Sequence, residues 1–326
     1  MKIGRRKFLH LTAGAAATPA AARLALADDY PSRPIRLIVG FTAGAASDVN
    51  ARIFAKAAGP VLGQQIVVEN KPGAGSSIAA HYVAHAPNDG YTLFLPALST
   101  LTNEIVNPTS PPLDLGKDFA PVAQLADGPF YLTVNPALGV HSVSELVALA
   151  KSKPGELSYG SVGAGSLPHL AGVLFEQKAG IKLVHVPYPG SPESIVDLLA
   201  GRISMVFAVA SSCIGQINSG KLLSLATTGA KRSNLLPNTP TMTEAGVPGF
   251  GFNLWLGVLA PAGTPQPIIA KLADAAHKGM HTPETLEALR QQGYEALDVG
   301  PDEFAAHIRE DVTRWTEVVR AAGLKS

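Results

Sequence analysis

Ile35-Arg36-Leu37-Ile38-Val39-Gly40-Phe41-Thr42-Ala43-Gly44-Ala45-Ala46-Ser47-Asp48 opens the stretch, running on to Leu95, whose reading decides the fold. Residues 35–39 form a short apolar run of the kind that fills a buried strand, and Gly40 ends it. Ser47 stands where a helix N-cap belongs; Val49, Ile53 and Ala57 supply a buried face, and Gly59-Pro60 or Gly63 stops the helix. Ile66–Asn70 reads as the next strand, Lys71-Pro72-Gly73-Ala74-Gly75 as a turn, and Ile78–Ala86 as a second helix. Asn88-Asp89-Gly90 then turns the chain into a strand at Tyr91–Leu95. A β-α-β-α-β order implies parallel strands with helices on both faces.

Working outward, the same pattern restarts after the proline-rich segment around Pro108, Pro111 and Pro112. Leu157–Ser161 is a strand, Ser166 to Ala179 a helix closed by Gly180, and Leu183–Val186 a strand leaving through Pro187-Tyr188-Pro189-Gly190. A helix at 193–200, a strand at 203–207, a short helix and a strand at 222–226 complete a second α/β unit. Phe130–Val134 and Leu254–Leu259 are the segments expected to cross between units. In the tail, Phe304, Ile308, Val312, Trp315, Val319 and Ala322 recur at steps of three and four, an amphipathic stripe expected to pack on the first unit. With 326 residues, two domains are expected, because single cores seldom grow past about 250–300 residues. The expected division is 28–129 with 253–326 as one lobe and 130–252 as the other.

The first 27 residues read as a removable twin-arginine signal peptide: Arg5-Arg6, a mildly apolar run from Leu11 to Ala22, and Ala25-Leu26-Ala27 as cleavage site. That run is too short and too rich in small residues for a membrane anchor, so the protein is expected in the periplasm without direct membrane insertion. Removal of Lys2, Arg5, Arg6, Lys7 and Arg23 leaves 21 of 26 basic residues against 25 acidic ones, a net of −4. A mildly acidic protein offers no electrostatic footprint for nucleic acid. Cys213 is the single cysteine, so no intrachain disulfide forms.

Several catalytic patterns fail on inspection. Gly215–Lys221 has phosphate-loop spacing, but Leu222 replaces the Mg²⁺-binding hydroxyl and the segment reads as a helix C-terminus. Gly73-Ala74-Gly75 continues to Ile78 where a dinucleotide fingerprint needs glycine. Ser161 lacks the first glycine of a nucleophile elbow. His81 and His85 are four apart on a helix, but Tyr82 replaces the glutamate of a zinc protease and no third ligand is indicated. No catalytic residue, metal or cofactor is therefore expected.

Two strand-to-helix loops, Phe41–Asp48 and Ser161–His169, share a different character. Both are rich in Gly, Ala and Ser, and neither holds Lys or Arg. Each delivers a helix N-terminus, where backbone N–H groups lack partners and the dipole is positive. Small side chains let an anion approach those amides, at the strand carboxyl ends where ligands of open α/β sheets collect. Tight βα turns would look alike singly; the pairing, with no catalytic group at hand, favours carboxylate binding. The candidate ligand-binding residues are Phe41, Thr42, Ala43, Gly44, Ala45, Ser47, Asp48, Ser99, Phe130, Ser161, Gly163, Ala164, Gly165, Ser166, His169, Tyr188 and Ala208. For His169, ligand contact and a structural hydrogen bond remain open alternatives.

The chain resembles the tripartite tricarboxylate transporter substrate-binding proteins, the Bug family. The resemblance spans about Tyr30 to Lys325 and rests on Tyr30-Pro31-Ser32-Arg33-Pro34-Ile35, Val68-Glu69-Asn70-Lys71-Pro72-Gly73-Ala74-Gly75, Pro87-Asn88-Asp89-Gly90-Tyr91-Thr92-Leu93, His185-Val186-Pro187-Tyr188 and Leu259-Ala260-Pro261-Ala262-Gly263-Thr264-Pro265. It implies an α/β two-lobed type II periplasmic binding protein fold, with two mostly parallel doubly wound sheets joined by two hinge strands. It also implies a monomer that closes on a small carboxylate and passes it to a permease of a large and a small subunit. The sequence departs from the family pattern at Thr42 and Ala45 in the first loop, at Phe207-Ala208 where an acid is common, at Pro189 where a lysine is common, and at Phe130. Losing the acid removes the partner of a ligand ammonium, so the expected ligand is an aliphatic or aromatic carboxylate without an amino group. The alternatives are an orphan sensor presenting its loaded form to a membrane signalling partner and a hydrolase using Ser161 or Ser166 with a nearby histidine.

Overall fold

The computed structural model describes residues 30–324; the expected signal peptide at 1–27 lies outside the described residues. Its strands are β1 (Ile35–Val39), β2 (Ile66–Asn70), β3 (Thr92–Leu95), β4 (Phe119–Gly128), β5 (Phe130–Val134), β6 (Ser158–Ser161), β7 (Val184–Pro187), β8 (Met205–Val209), β9 (Leu223–Thr227), β10 (Leu254–Pro261) and β11 (Glu295–Val299). Helices α1 (Ala46–Leu62), α2 (Ser77–Ala84) and α3 (Leu98–Val106) follow β1, β2 and β3. The second half carries α4 (Val143–Ser152), α5 (Leu167–Ala179), α6 (Ser191–Leu199) and α7 (Ala210–Asn218), and the tail α8 (Gln266–Met280), α9 (Pro283–Gln292) and α10 (Pro301–Ala321).

The two α/β units expected from the sequence form two sheets, ordered β11-β4-β10-β3-β1-β2 and β7-β6-β8-β5-β9. The parallel parts are β2-β1-β3 and β7-β6-β8, where helices make the crossovers. Both sheets are mixed rather than mostly parallel. β10 runs antiparallel to β3 and β4, β11 to β4, and β5 to β8 and β9. These antiparallel strands are largely the ones that link the units, and they need no crossover helix. β4 and β11 were not legible as strands, since neither has a clean apolar run or alternation.

The expected crossing segments each sit inside one sheet, β5 in the second and β10 in the first. The chain changes sheets at Pro129, between β4 and β5, and again in the loop 228–253. Thr228 ties these passages together: its Oγ1 accepts from Phe130 N–H at 2.9 Å, and its N–H donates to Phe130 O at 2.9 Å. Asn253 Nδ2 donates to Asp127 Oδ2 at 2.6 Å beside them.

Two helix details differ from the sequence reading. α1 begins at Ala46 with Ala45 in the N-cap position and no side-chain cap, so Ser47 is not the cap but a buried first-turn residue. Its core face is Ala51, Phe54, Ala58 and Leu62, while Val49, Ile53 and Ala57 are half-buried on the flank beside α9. An amphipathic pattern in an Ala-rich helix is ambiguous by one residue, and the sheet resolved it through Phe54. Gly63 closes the helix in the left-handed conformation, φ 68°, while Pro60 is accommodated within it.

The tail helix α10 buries Phe304, Ile308, Trp315 and Val319 of the expected stripe. It packs on β4 and α3 of the first sheet, and it also reaches α5 of the second. Aromatic rings continue that contact: Trp315 meets Phe252 edge-on at 5.1 Å, Phe252 meets Phe250 at 5.7 Å, and Phe250 stacks on Phe207 at 5.6 Å. Among the described residues no helix is long and apolar enough to cross a membrane.

Candidate ligand-binding site

The first loop leaves β1 at Gly40 and enters α1. Thr42, Ala43 and Gly44 are exposed, Phe41 and Ala45 half-buried, and Ser47 and Asp48 buried. Asp48 organises it. Its carboxylate accepts Gly44 N–H at 2.9 Å, Asn70 Nδ2 at 3.0 Å, and Arg52 Nε and Nη2 at 3.0 Å each. Asn70, at the end of β2, also donates to Phe41 O at 2.9 Å. Burial alone would raise the Asp48 pKa, but the bonds from Arg52, Gly44 and Asn70 outweigh it and hold the carboxyl below its ordinary value. Asp48 thus shapes the loop from beneath and already complements the positive end of α1.

The second loop connects β6 to α5. Ser166 occupies the N-cap position, but its Oγ donates to Gly163 O at 2.6 Å instead of capping a helix amide. Gly163 N–H donates to Ser161 Oγ at 3.1 Å, and Gly165 N–H donates to His169 Nδ1 at 3.1 Å. The amides of Gly44, Gly163 and Gly165 are thus used inside the loops. In the helix first turns, the donors without an acceptor among the described residues are Ala46, Ser47 and Asp48 on α1 and Leu167 and His169 on α5; the loop amides of Ala43 and Ala164 have none either. No acid stands in the first turn of α5, unlike α1. The start of α5 therefore has no carboxylate beside its first-turn amides, whereas at the start of α1 Asp48 sits there, paired with Arg52.

His169 makes a structural hydrogen bond, its Nδ1 accepting from Gly165 N–H. Its ring lies 4.1 Å from that of His185 on β7, and both stand beside Tyr159 of β6. Burial, followed by the neighbouring His185, pushes the His169 pKa down to about 4; burial also lowers that of His185. Both imidazoles are neutral at pH 7. Because the unfolded chain titrates His169 near 6.5, its contribution to stability is complete above that pH and is lost progressively as pH falls toward 4. Urea melts at pH 7 and pH 5 should show a larger loss for the parent protein than for His169→Asn, whose amide oxygen can still accept from Gly165.

His185, missed as a site residue in the sequence, also pairs with Ser161: Nε2 and Oγ are 2.6 Å apart. Among the described residues no carboxylate hydrogen-bonds to His185, so the orienting third member of a catalytic triad is missing.

The remaining candidates are spread along the same strand ends. Ser99 is in the first turn of α3 and half-buried. Phe130 is not an open hinge side chain; it is buried, its ring 6.1 Å from Phe252. Tyr188 donates its hydroxyl to Asp197 Oδ2 at 2.8 Å. β8 ends at Val209, two residues beyond the expected end, and leaves Ala208 buried in the small cluster around Tyr131 and Ile195. The exposed small residue Ala164 completes the second loop. His81 bonds Thr109 Oγ1 at 2.7 Å, and no cluster of three metal-ligating side chains occurs among the described residues.

Gly165 places this second loop at the junction of the two units. A Cβ there would lie 3.1 Å from Val106 Cβ at the end of α3.

Comparison with known proteins agrees with this architecture. Residues 50–324 match the profile of the tripartite tricarboxylate transporter family receptor, TctC. The solved periplasmic binding protein BugD is 32% identical, with a TM-score of 0.77 over 91% of this chain and 99% of that one. Rpa4515 from R. palustris, solved with adipate, is 34% identical, with a TM-score of 0.77 over 90% and 99% of the two chains. MatC from Rhodopseudomonas palustris, solved with bound malate, is 29% identical, with a TM-score of 0.76 over 89% and 100%. These relatives are solute-binding proteins, not enzymes, which removes the hydrolase reading of Ser161. With most of its length matched in sequence and its whole described fold matched in space, the chain belongs to the TctC family of tripartite tricarboxylate transporter receptors, the Bug proteins.

Proposed function

We propose that this protein is exported by the twin-arginine route to the periplasm. There it captures a small organic carboxylate lacking an amino group and delivers it, as a monomer, to a permease of a large and a small subunit. The lobes that close on the ligand are 28–129 with 253–326, and 130–252, hinged at Pro129 and the 228–253 loop. The observation that carries the reading is the start of α5: free Leu167 and His169 amides, no acid in the first turn, and no Lys or Arg in its loop. Such an end grips a carboxylate by backbone donors alone. Ala208, uncharged, supports an amine-free ligand, as a buried ammonium would have no counter-charge there. Adipate and malate, the ligands of two relatives, are both amine-free acids.

The test is a thermal-shift and calorimetry panel of adipate, malate, benzoate, aspartate and glutamate on the mature protein. At least one amine-free acid should raise the melting temperature in a dose-dependent manner, with aspartate and glutamate inert. Tight aspartate binding with no response to the others overturns the reading.

A further inference from the structure

Ser76 combines two unfavourable features at one point. Its side chain is 0% exposed, yet its Oγ has no hydrogen-bond partner. Its backbone is left-handed, φ 84° and ψ −4°, a conformation that disfavours any residue with a Cβ. A buried hydroxyl is normally satisfied, and strain of this kind concentrates at ligand sites. Ser77, the next residue, shows the contrast: its Oγ donates to Glu104 Oε2 at 2.9 Å.

The position is also informative. Ser76 is the N-cap residue of α2, at the carboxyl edge of the parallel strands β1 and β2. Its hydroxyl is aimed at Gly40, where a Cβ would overlap it, and Gly40 is the root of the first ligand loop. The turn before it is pinned by Asn103 Nδ2 donating to Ala74 O at 3.0 Å. The first turn of α2 holds no acid of its own. The nearby Glu104 carboxylate is buried and accepts from Thr109 N–H at 2.7 Å, Thr109 Oγ1 at 2.5 Å and Leu113 N–H at 3.1 Å. Burial would raise its pKa, but these bonds and the one from Ser77 outweigh it, so Glu104 stays ionised.

We propose that Ser76 is a specificity-determining residue whose hydroxyl donates to a neutral oxygen, hydroxyl or carbonyl, on the body of the bound acid. This rests on the carboxylate-receptor reading above and narrows it to hydroxy- and oxo-carboxylates. The negative charge of Glu104, one residue away through Ser77, excludes a second carboxylate from that point. Contact requires the first loop to shift off Ser76 as ligand enters.

The experiment compares acids that differ by a single oxygen, malate against succinate and 3-hydroxybenzoate against benzoate, on the parent protein and on Ser76→Gly. Glycine removes the hydroxyl and relieves the backbone. The parent should bind the oxygenated member of at least one pair tenfold or more tightly. Ser76→Gly should bind both members within about twofold, while its ligand-free melting temperature equals or exceeds the parent's. Full discrimination retained by Ser76→Gly overturns the proposal, as does a parent protein that binds an acid from the panel but shows no preference in either pair. A parent that binds none of the carboxylates overturns the receptor reading itself, and this inference with it.

Discussion

Gly165→Leu is expected to abolish the ligand-induced rise in melting temperature while leaving a folded protein. Gly165 has φ 80° and lies against α3 of the first sheet, its would-be Cβ 3.1 Å from Val106 Cβ. A leucine there pays about 1–2 kcal/mol for the left-handed backbone. Its side chain also wedges the second loop away from Val106, which is itself buried. The Gly165 N–H bond to His169 Nδ1, which orients the first turn of α5, is lost with that movement. Binding at a thousand times the dissociation constant stabilises a protein by ~4 kcal/mol, so losing it is readily seen in paired melts with and without ligand. Circular dichroism in the far ultraviolet should match the parent. A ligand shift that survives in Gly165→Leu would mean that the anion is held elsewhere than at the start of α5.

Asp48→Ala is the second large effect, and it acts on stability. The carboxylate is buried and receives Gly44 N–H, Asn70 Nδ2 and the Arg52 guanidinium. Truncation removes the acceptor of Gly44 N–H and of one Asn70 Nδ2 hydrogen, the other remaining on Phe41 O, and Arg52, half in solvent, partly recovers through water. A loss of about 3 kcal/mol is expected from unsatisfied donors at a buried charged site. The pH dependence follows from the direction of the shift. The Asp48 pKa is lower in the folded state, so its contribution is present above about 4, the unfolded value, and disappears as pH falls through the folded one. Urea denaturation at pH 7 should show the full difference between Asp48→Ala and parent, and melts near pH 3 a smaller one. Equal differences at both pH values would mean that Asp48 acts through packing rather than charge.

Export-signal reading aside, the parts of the fold legible in the sequence are those with an apolar run between turn signals. β1, β2, β3, β6 and β7 were placed within two residues at either end, because Gly and Pro punctuate a chain locally. The tail helix was legible because Phe304, Ile308 and Trp315 are large enough to mark a face. α1 was read one residue out of phase, since its core face is mostly alanine around Phe54, which has no large neighbour three or four positions away.

The site divides in the same way. Two small-residue loops with no basic side chain were visible in the sequence, and the structure sets them at helix starts on the strand carboxyl ends. Which amides remain free was not visible. Gly44, Gly163 and Gly165 spend theirs on Asp48, Ser161 and His169. His185 lies in one of the family landmarks and Ser76 beside another, but neither carries a sign of its own of a place in the site. Their significance lies in partners, or the lack of one, brought near by sheet pairing.

By itself, then, the order of residues determined the family, the alternation of strand and helix, and the absence of cationic ligand-binding side chains from both loops, because these depend on spacing and side-chain type along the chain. Only the tertiary structure decided that the sheets are mixed, that the units join at Pro129, that the start of α5 has no carboxylate beside its first-turn amides, and that Ser76 keeps an unpaired hydroxyl. Each of those is a matter of which groups meet across sequence separations of tens of residues, and hydrogen-bond satisfaction is settled by such meetings, not by neighbours in sequence.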